Sequence, residues 1–236
     1  KKPGRIINRA EHIYIYDTDG NKLLDAMSGL WCCSLGYSQP KIAEAVSKQF
    51  QELPYYNNFF QCSNAPAVEL AERLVDMAPE RFTHVFFTGS GSEANELALR
   101  MARTVTGRRA TITLDWGYHG NTNGMIDVSP YKFNRKGGRG KPDHVEIAEL
   151  ADPYRGRFKG SGENSGIAYA ASVAEKVELI REKTGQGPAA FIAEAISGCG
   201  GQVFFPDAYL KTAAEHVRKA GGLVIVDEVQ TGFGRV

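Results

Sequence analysis

Residues 88 to 96 read TGSGSEANE, set between the apolar run His84-Val85-Phe86-Phe87 and a segment of helical spacing. Strand, glycine loop and helix start is the expected order. Glycines let a ligand approach the backbone, and the partial positive charge and free N–H groups of a helix N-terminus suit an anion such as phosphate. Ser90 followed by Glu93 fits a capping box, which satisfies some of the orphan donors and leaves others pointing outward. An ordinary capped helix reads the same way on this loop alone. Three further sets of residues narrow the choice. Tyr118 and His119, in WGYHG at 116 to 120, supply a flat ring and a titratable one, or else a turn with incidental aromatics. Glu194 closes the apolar run AAFIAE. Asp227 follows Leu223-Val224-Ile225-Val226, where a charge is costly unless paired, and a protonated heterocyclic nitrogen is a fitting partner. A phosphate cup, an aromatic platform and a buried carboxylate together describe a site for a phosphorylated, aromatic, nitrogen-bearing ligand.

These groups need a scaffold that brings them together. After the glycine loop the apolar positions Ala94, Leu97, Ala98, Met101, Ala102 and Val105 follow helical spacing. Ala110 to Leu114 is a short β-type run, and residues 189 to 194 and 222 to 228 are continuous apolar runs separated by a helix from about Asp207 to Ala220. Runs apolar on both faces, alternating with helices, predict an α/β fold with a mostly parallel sheet and helices on each side. Ligands then bind beyond the carboxyl ends of the strands, where all of these residues lie. A helix from about Ile167 to Thr184 has Ala170, Val173, Ala174, Val177 and Ile180 inward. Residues 130 to 166, with the solvated run Arg135-Lys136-Gly137-Gly138-Arg139-Gly140, read as a long excursion.

The N-terminal part reads differently. Asp19-Gly20 between Ile13-Tyr14-Ile15-Tyr16 and Lys22-Leu23-Leu24 is a hairpin signal. A helix opens at Pro40 with Ile42, Ala45, Val46, Phe50 and Leu53 as its core side, and another runs from about Ala65 to Ala78. Between hairpin and helix, LDAMSGLWCCSLGY holds Trp31 on a loop, as a plug over a satellite core or as the wall of a pocket. Tyr55-Tyr56-Asn57-Asn58-Phe59-Phe60 has no helical period and has the same two readings. The expected division is an N-terminal segment over 1–57 and a larger domain over 58–236.

With 236 residues, 42% of them hydrophobic, the chain can bury a substantial core. A formal net charge of +1 gives no support to a nucleic-acid or membrane-surface role. No apolar run reaches membrane-spanning length. Lys1-Lys2-Pro3-Gly4-Arg5 is not followed by a signal-type apolar core, so the cytoplasm is the expected compartment. Cys32, Cys33, Cys62 and Cys199 lack metal spacing and read as reduced thiols, and the five histidines form no ligand pattern.

On LDAMSGLWCCSLGY, TGSGSEANE, the YHG at 118 to 120, AEAISGCGG at 193 to 201 and VDEVQTGFGR at 226 to 235, the chain resembles the class III aminotransferases, pyridoxal-phosphate enzymes of fold type I. The resemblance implies that Ser90, Gly91 and Ser92 hold the cofactor phosphate. It implies that Tyr118 stacks on the pyridine ring with His119 beside it, and that Val229 packs the other face. Asp227 would pair with the pyridinium nitrogen, Gln230 would reach the ring hydroxyl, and Glu194 would support that network. Trp31, Phe59 and Phe60 would line the substrate pocket. The family is usually dimeric, with the site at the subunit interface, so a homodimer is implied, with part of the 1–57 segment belonging to a small domain. Its Schiff-base lysine lies beyond the TGFGR segment, and no lysine here follows the right motif. The sequence therefore resembles the N-terminal portion of such an enzyme, without that lysine or the C-terminal small domain, and inactivity of this chain alone is expected.

The leading functional expectation is transfer of an amino group from an ω-amino acid or amine to a keto acid such as pyruvate, because the Trp31 region resembles that branch. Ala195 stands where many members carry proline. IDVSPYKFN at 126 to 134 and AEHVRKAGG at 214 to 222 are similar to relatives that eliminate phosphate from amino-alcohol phosphates, which makes a phospho-lyase the alternative. A nucleotide-binding oxidoreductase needs G-x-G-x-x-G at the first strand, which TGSGSEANE does not supply. A non-catalytic, cofactor-less fragment or interaction protein is the reading from a different class.

Overall fold

The computed structural model describes residues 4–236, which divide into two compact units. Residues up to Phe86, with Phe233–Arg235, form the first, and Phe87–Gly232 with Val236 forms the second. Residues 58–86, assigned from sequence to the larger domain, fall in the first unit.

The first unit opens with an antiparallel sheet of β1 (Ile7–Glu11), β2 (Tyr14–Asp17) and β3 (Lys22–Leu24). The hairpin forms around Asp19-Gly20 with Tyr14 opposite Leu24 and Tyr16 opposite Lys22. Asp17 holds the turn, accepting hydrogen bonds from the Asn21 backbone N–H at 2.8 Å and the Asn21 side chain at 2.9 Å. A short turn, α1 (Ser28–Trp31), precedes α2 (Pro40–Glu52) and α3 (Ala65–Met77). Both long helices start with proline in the first turn, where its missing N–H costs nothing. Neither buries a residue, and Ile42, Val46 and Phe50 on the expected core side of α2 are exposed. The apolar stripe is present, but among the described residues nothing covers it.

The second unit is built on a parallel sheet ordered β5-β4-β6-β7, with β4 (Thr111–Leu114), β5 (Val145–Ala148), β6 (Ala190–Glu194) and β7 (Leu223–Asp227). The register sets Thr111 beside Val145 and Ala190, and Glu194 beside Asp227. Helix α4 is Gly91–Thr106, α5 Asn123–Asp127, α6 Pro130–Phe133, α7 Glu163–Thr184 and α8 Tyr209–Lys219. Alternation along β6 makes two cores. Phe191 and Ala193 pack with Val173, Val177, Ala213 and Val217 of α7 and α8. Ala190 and Ile192 pack with Leu99 and Ala102 of α4 and Met125 of α5 on the other face. This is the helix, sheet, helix layering expected from strands apolar on both faces.

Three expectations change. His84–Phe87 belongs to no strand or sheet, and Phe86 and Phe87 are 63% and 52% exposed, because β propensity makes no strand without a ladder partner. Inside the supposed 130–166 excursion lie α6 and the strand β5, whose four residues are too short a run to stand out between Gly- and Lys-rich flanks. On α4 the buried positions are Asn95, Leu99 and Ala102, whereas Met101 and Val105 are exposed. The sheet takes the face that carries a polar residue.

Candidate active site

The carboxyl ends of β4, β6 and β7 and the N-terminus of α4 meet at one edge of the second unit. A cavity of about 200 Å³ lies there, lined by Gly91, Ser92, Tyr118, Glu194, Asp227, Val229 and Gln230 among others. A larger open groove of about 930 Å³ runs along α4 past Phe87, Leu97, Arg100 and Met125. It holds none of the strand-end groups, so chemistry rather than size selects the smaller cavity.

Asp227 ends β7 and is 7% exposed. Its Oδ2 accepts from Asn95 Nδ2 at 2.8 Å and lies 3.0 Å from His119 Nδ1, and its Oδ1 accepts the Val229 N–H at 3.1 Å. Each oxygen is thus oriented before any ligand arrives. His119, 2% exposed, has Nε2 3.5 Å from Thr113 Oγ1 of β4, and its backbone N–H donates to Ser129 Oγ at 2.9 Å. Asn95 also donates to the His119 carbonyl at 3.0 Å. Helix α4, the strand-end loop and β7 are therefore tied at one carboxylate.

Glu194 ends β6, where its Oε1 accepts the Tyr118 N–H at 3.2 Å and its Oε2 the Gly198 N–H at 2.7 Å. Burial pushes its carboxyl above the ordinary carboxylate range, against the pull of those two N–H groups. It fixes the loop that carries Tyr118, whose ring meets Tyr131 edge-on at 6.0 Å between centroids.

At the start of α4, Ser90 Oγ accepts the Glu93 N–H at 3.2 Å. The reciprocal bond differs from a standard capping box: Glu93 Oε2 reaches the Gly89 N–H at 2.7 Å, one residue before the cap. Among the described residues the N–H groups of Gly91 and Ser92 have no protein partner. Ser92 Oγ accepts the Asn121 N–H at 3.0 Å, and a Cβ at Gly120 would sit 2.8 Å from Ser92 Cα, so the two loops touch only because residue 120 is glycine. A Cβ at Gly91 would likewise collide with the Val229 side chain.

Of the residues singled out from sequence, Gly91, Ser92, Tyr118, His119, Glu194, Asp227, Val229 and Gln230 line this cavity, and Ser90 caps the helix beside it. Trp31, half-buried, and Phe59 and Phe60, 73% and 92% exposed, belong to the first unit. Asn95, Thr113 and Ser129 were missed. A signal for Asn95 existed, since it shares i, i+4 and i+7 spacing with Leu99 and Ala102.

A pyridoxal-type group fits what is present. Unpartnered N–H groups suit its phosphate, and Asp227 suits its ring nitrogen. Gln230 Oε1 is buried with no hydrogen-bond partner, as expected of an acceptor waiting for a ligand hydroxyl.

The family model for aminotransferase class-III matches residues 1–236. A putrescine–pyruvate aminotransferase of Pseudomonas aeruginosa is 42% identical over 100% of this chain and 52% of its own length. An ethanolamine-phosphate phospho-lyase homolog of Caenorhabditis elegans is 38% identical over 98% of the chain and 50% of its own length. The solved omega transaminase from Pseudomonas jessenii in complex with PMP superposes with a TM-score of 0.89 at 34% identity, covering 98% of this chain and 52% of that one. The chain spans about half the length of the relatives it matches. With a family match running the full sequence and a fold shared with solved transaminases, the chain belongs to the class III aminotransferases, whose cofactor is pyridoxal 5'-phosphate.

Proposed function

We propose that the protein carrying this chain moves an amino group from an ω-amino acid or amine to a keto acid such as pyruvate, with pyridoxal phosphate held between Tyr118 and Val229. The observation that carries this is Asp227, a buried carboxylate oriented by Asn95, His119 and the Val229 N–H and facing a cavity of about 200 Å³. Asp227 pairs with the ring nitrogen and holds a proton on it. The N–H groups at the start of α4, from Ser90 to Ser92, take the phosphate, and Gln230 Oε1 accepts from the ring hydroxyl. Glu194 positions the Tyr118 loop. When bound, the cofactor supplies an electron sink for the charge left on the substrate carbon.

Among the described residues no lysine lines the cavity, so a polypeptide of residues 1–236 alone is expected to bind the cofactor without a covalent bond and to turn over no amine. Trp31, Phe59 and Phe60 are proposed as walls of the substrate pocket in a homodimeric enzyme. The four cysteines are free thiols, which fits the cytoplasm as its compartment.

The test is to incubate the intact protein with cofactor, a diamine or ω-amino acid, and pyruvate, and to measure alanine. No alanine from any donor overturns the proposal. The Caenorhabditis elegans relative favours a second reading, elimination of phosphate from an amino-alcohol phosphate. Phosphate released from phosphoethanolamine, with no alanine formed, selects it.

A further inference from the structure

The Lys132 ammonium stands near Tyr118, a wall of the cavity, and among the described residues it makes no hydrogen bond or ion pair. It projects from α6, which is anchored by buried Pro130 and Phe133 and by the Tyr131 N–H donating to the Gly117 carbonyl at 3.1 Å. Lys132 Nζ lies 5.3 Å from the centre of the Tyr118 ring and 5.8 Å from that of Tyr131. Arg135, one turn further on, stacks 4.0 Å over Tyr131. Tyr118 is itself a wall of the cavity, so a chain of aromatic contacts leads from the site to two cations. Among the described residues neither cation makes an ion pair or a side-chain hydrogen bond with a carboxylate. Asp115 shares a separate cavity of about 340 Å³ with Arg135, but its Oδ1 is engaged by the Trp116 N–H at 2.9 Å.

A second observation places the same two cations near the loop after β6. Burial and then Glu194 push the Cys199 thiol up, while Arg135 and Lys132 pull it down. That loop supplies the Gly198 N–H to Glu194 at 2.7 Å.

We propose that Lys132, with Arg135 stacked on Tyr131, is a specificity-determining pair that binds the non-reacting oxyanion of the substrate, a carboxylate or a phosphate ester, while the amine end faces the cofactor. The inference rests on the cofactor reading of the cavity and adds the class of substrate. A cation held only by ring faces is free to form a charge-assisted hydrogen bond, and the same charge repels the far end of a diamine. An ω-amino acid or an amino-alcohol phosphate is thereby preferred over a diamine of equal length.

The decisive experiment uses the intact holoenzyme with three four-carbon donors, 4-aminobutyrate, 1,4-diaminobutane and butylamine, in wild type, Lys132→Gln, Lys132→Arg and Arg135→Gln. The ratio of kcat/KM for 4-aminobutyrate to that for butylamine falls about tenfold or more in Lys132→Gln, less in Arg135→Gln, and recovers in Lys132→Arg. The ratio for diaminobutane to butylamine rises. Equal changes for all three donors overturn the pair. Calorimetric titration of the holoprotein with butyrate and with inorganic phosphate separates the two oxyanion sources and reads binding without turnover. Loss of both in Lys132→Gln supports the inference, loss of one assigns the oxyanion, and retention of both overturns it. A holoprotein that turns over no donor but still loses anion binding in Lys132→Gln sinks the aminotransferase reading alone.

Discussion

Asn95 Nδ2 lies 2.8 Å from Oδ2 of Asp227, although 132 positions separate them along the chain. The bond joins the first turns of α4 to the last residue of β7, so the helix that offers N–H groups to an anion also aims the carboxylate. In the proposed cofactor site, one pair of elements would thereby meet both the phosphate and the ring nitrogen.

Removing that bond is the first prediction. Asn95→Ala strips a hydrogen bond from a buried carboxylate, a loss of about 1–3 kcal/mol, and is expected to weaken cofactor binding by an order of magnitude or more in absorbance titrations of the intact protein. Asn95→Asp is expected to be worse, since a second carboxylate there repels Asp227. If the aspartate variant binds cofactor as well as the alanine variant, Asn95 does not act through the charge on Asp227.

Asp227→Asn keeps the shape and removes the charge. Its amide nitrogen would oppose either the Asn95 side-chain donor or the Val229 N–H, and it would no longer hold a proton on a ring nitrogen. Breaking a buried pair costs about 3–5 kcal/mol, so activity of the intact enzyme should fall by at least two orders of magnitude. A variant within a factor of ten of wild type in kcat would remove Asp227 from the mechanism.

How much of this was legible beforehand depends on what each residue shows by type. β6 and β7 read as strands because Phe191, Ile192 and Ile225 sit in short runs apolar on both faces, β4 because Ile112 sits in a β-branched run, and both sheet faces are covered by helices. β5 did not read, because four residues among glycines and lysines carry too little pattern. His84–Phe87 has strand composition without a strand partner. At the site, the glycine loop and Asp227 stood out because one is permissive and the other expensive to bury. Asn95 did not, because an asparagine on a helix usually faces water, and the group that repays its burial is distant in sequence.

Gly120→Ala tests the contact between loops. With φ at +143° and a Cβ that would lie 2.8 Å from Ser92 Cα, alanine meets both backbone strain and a clash with main chain. Overpacking of this kind costs about 1–3 kcal/mol. The expected outcome in the intact protein is a lower denaturation midpoint together with weaker phosphate-dependent cofactor binding. Loss of stability with unchanged cofactor affinity would show that the Ser92 loop does not contribute to the cup.

The pH dependence of stability isolates Glu194. Burial holds its carboxyl above the ordinary value of 4.5, so the folded protein binds this proton more tightly than the unfolded chain does. Its stabilising contribution is then full below 4.5 and is lost as pH rises through the folded pKa. Asp17 and Asp152 are held below 3.8, Asp17 chiefly by the Asn21 side chain and Asp152 by the Arg155 and Tyr154 N–H groups acting against burial. Their contributions vanish only at more acid pH, outside the window that Glu194 controls. Glu194→Gln turns one of the two acceptors for Tyr118 and Gly198 into a donor, a nearly pH-independent penalty of about 1–3 kcal/mol. As pH rises above 4.5 and through the raised folded pKa, denaturation midpoints of wild type and variant should therefore converge, because only wild type loses the protonated form. A gap that widens over that range would mean that the N–H bonds outweigh burial and that Glu194 is charged throughout.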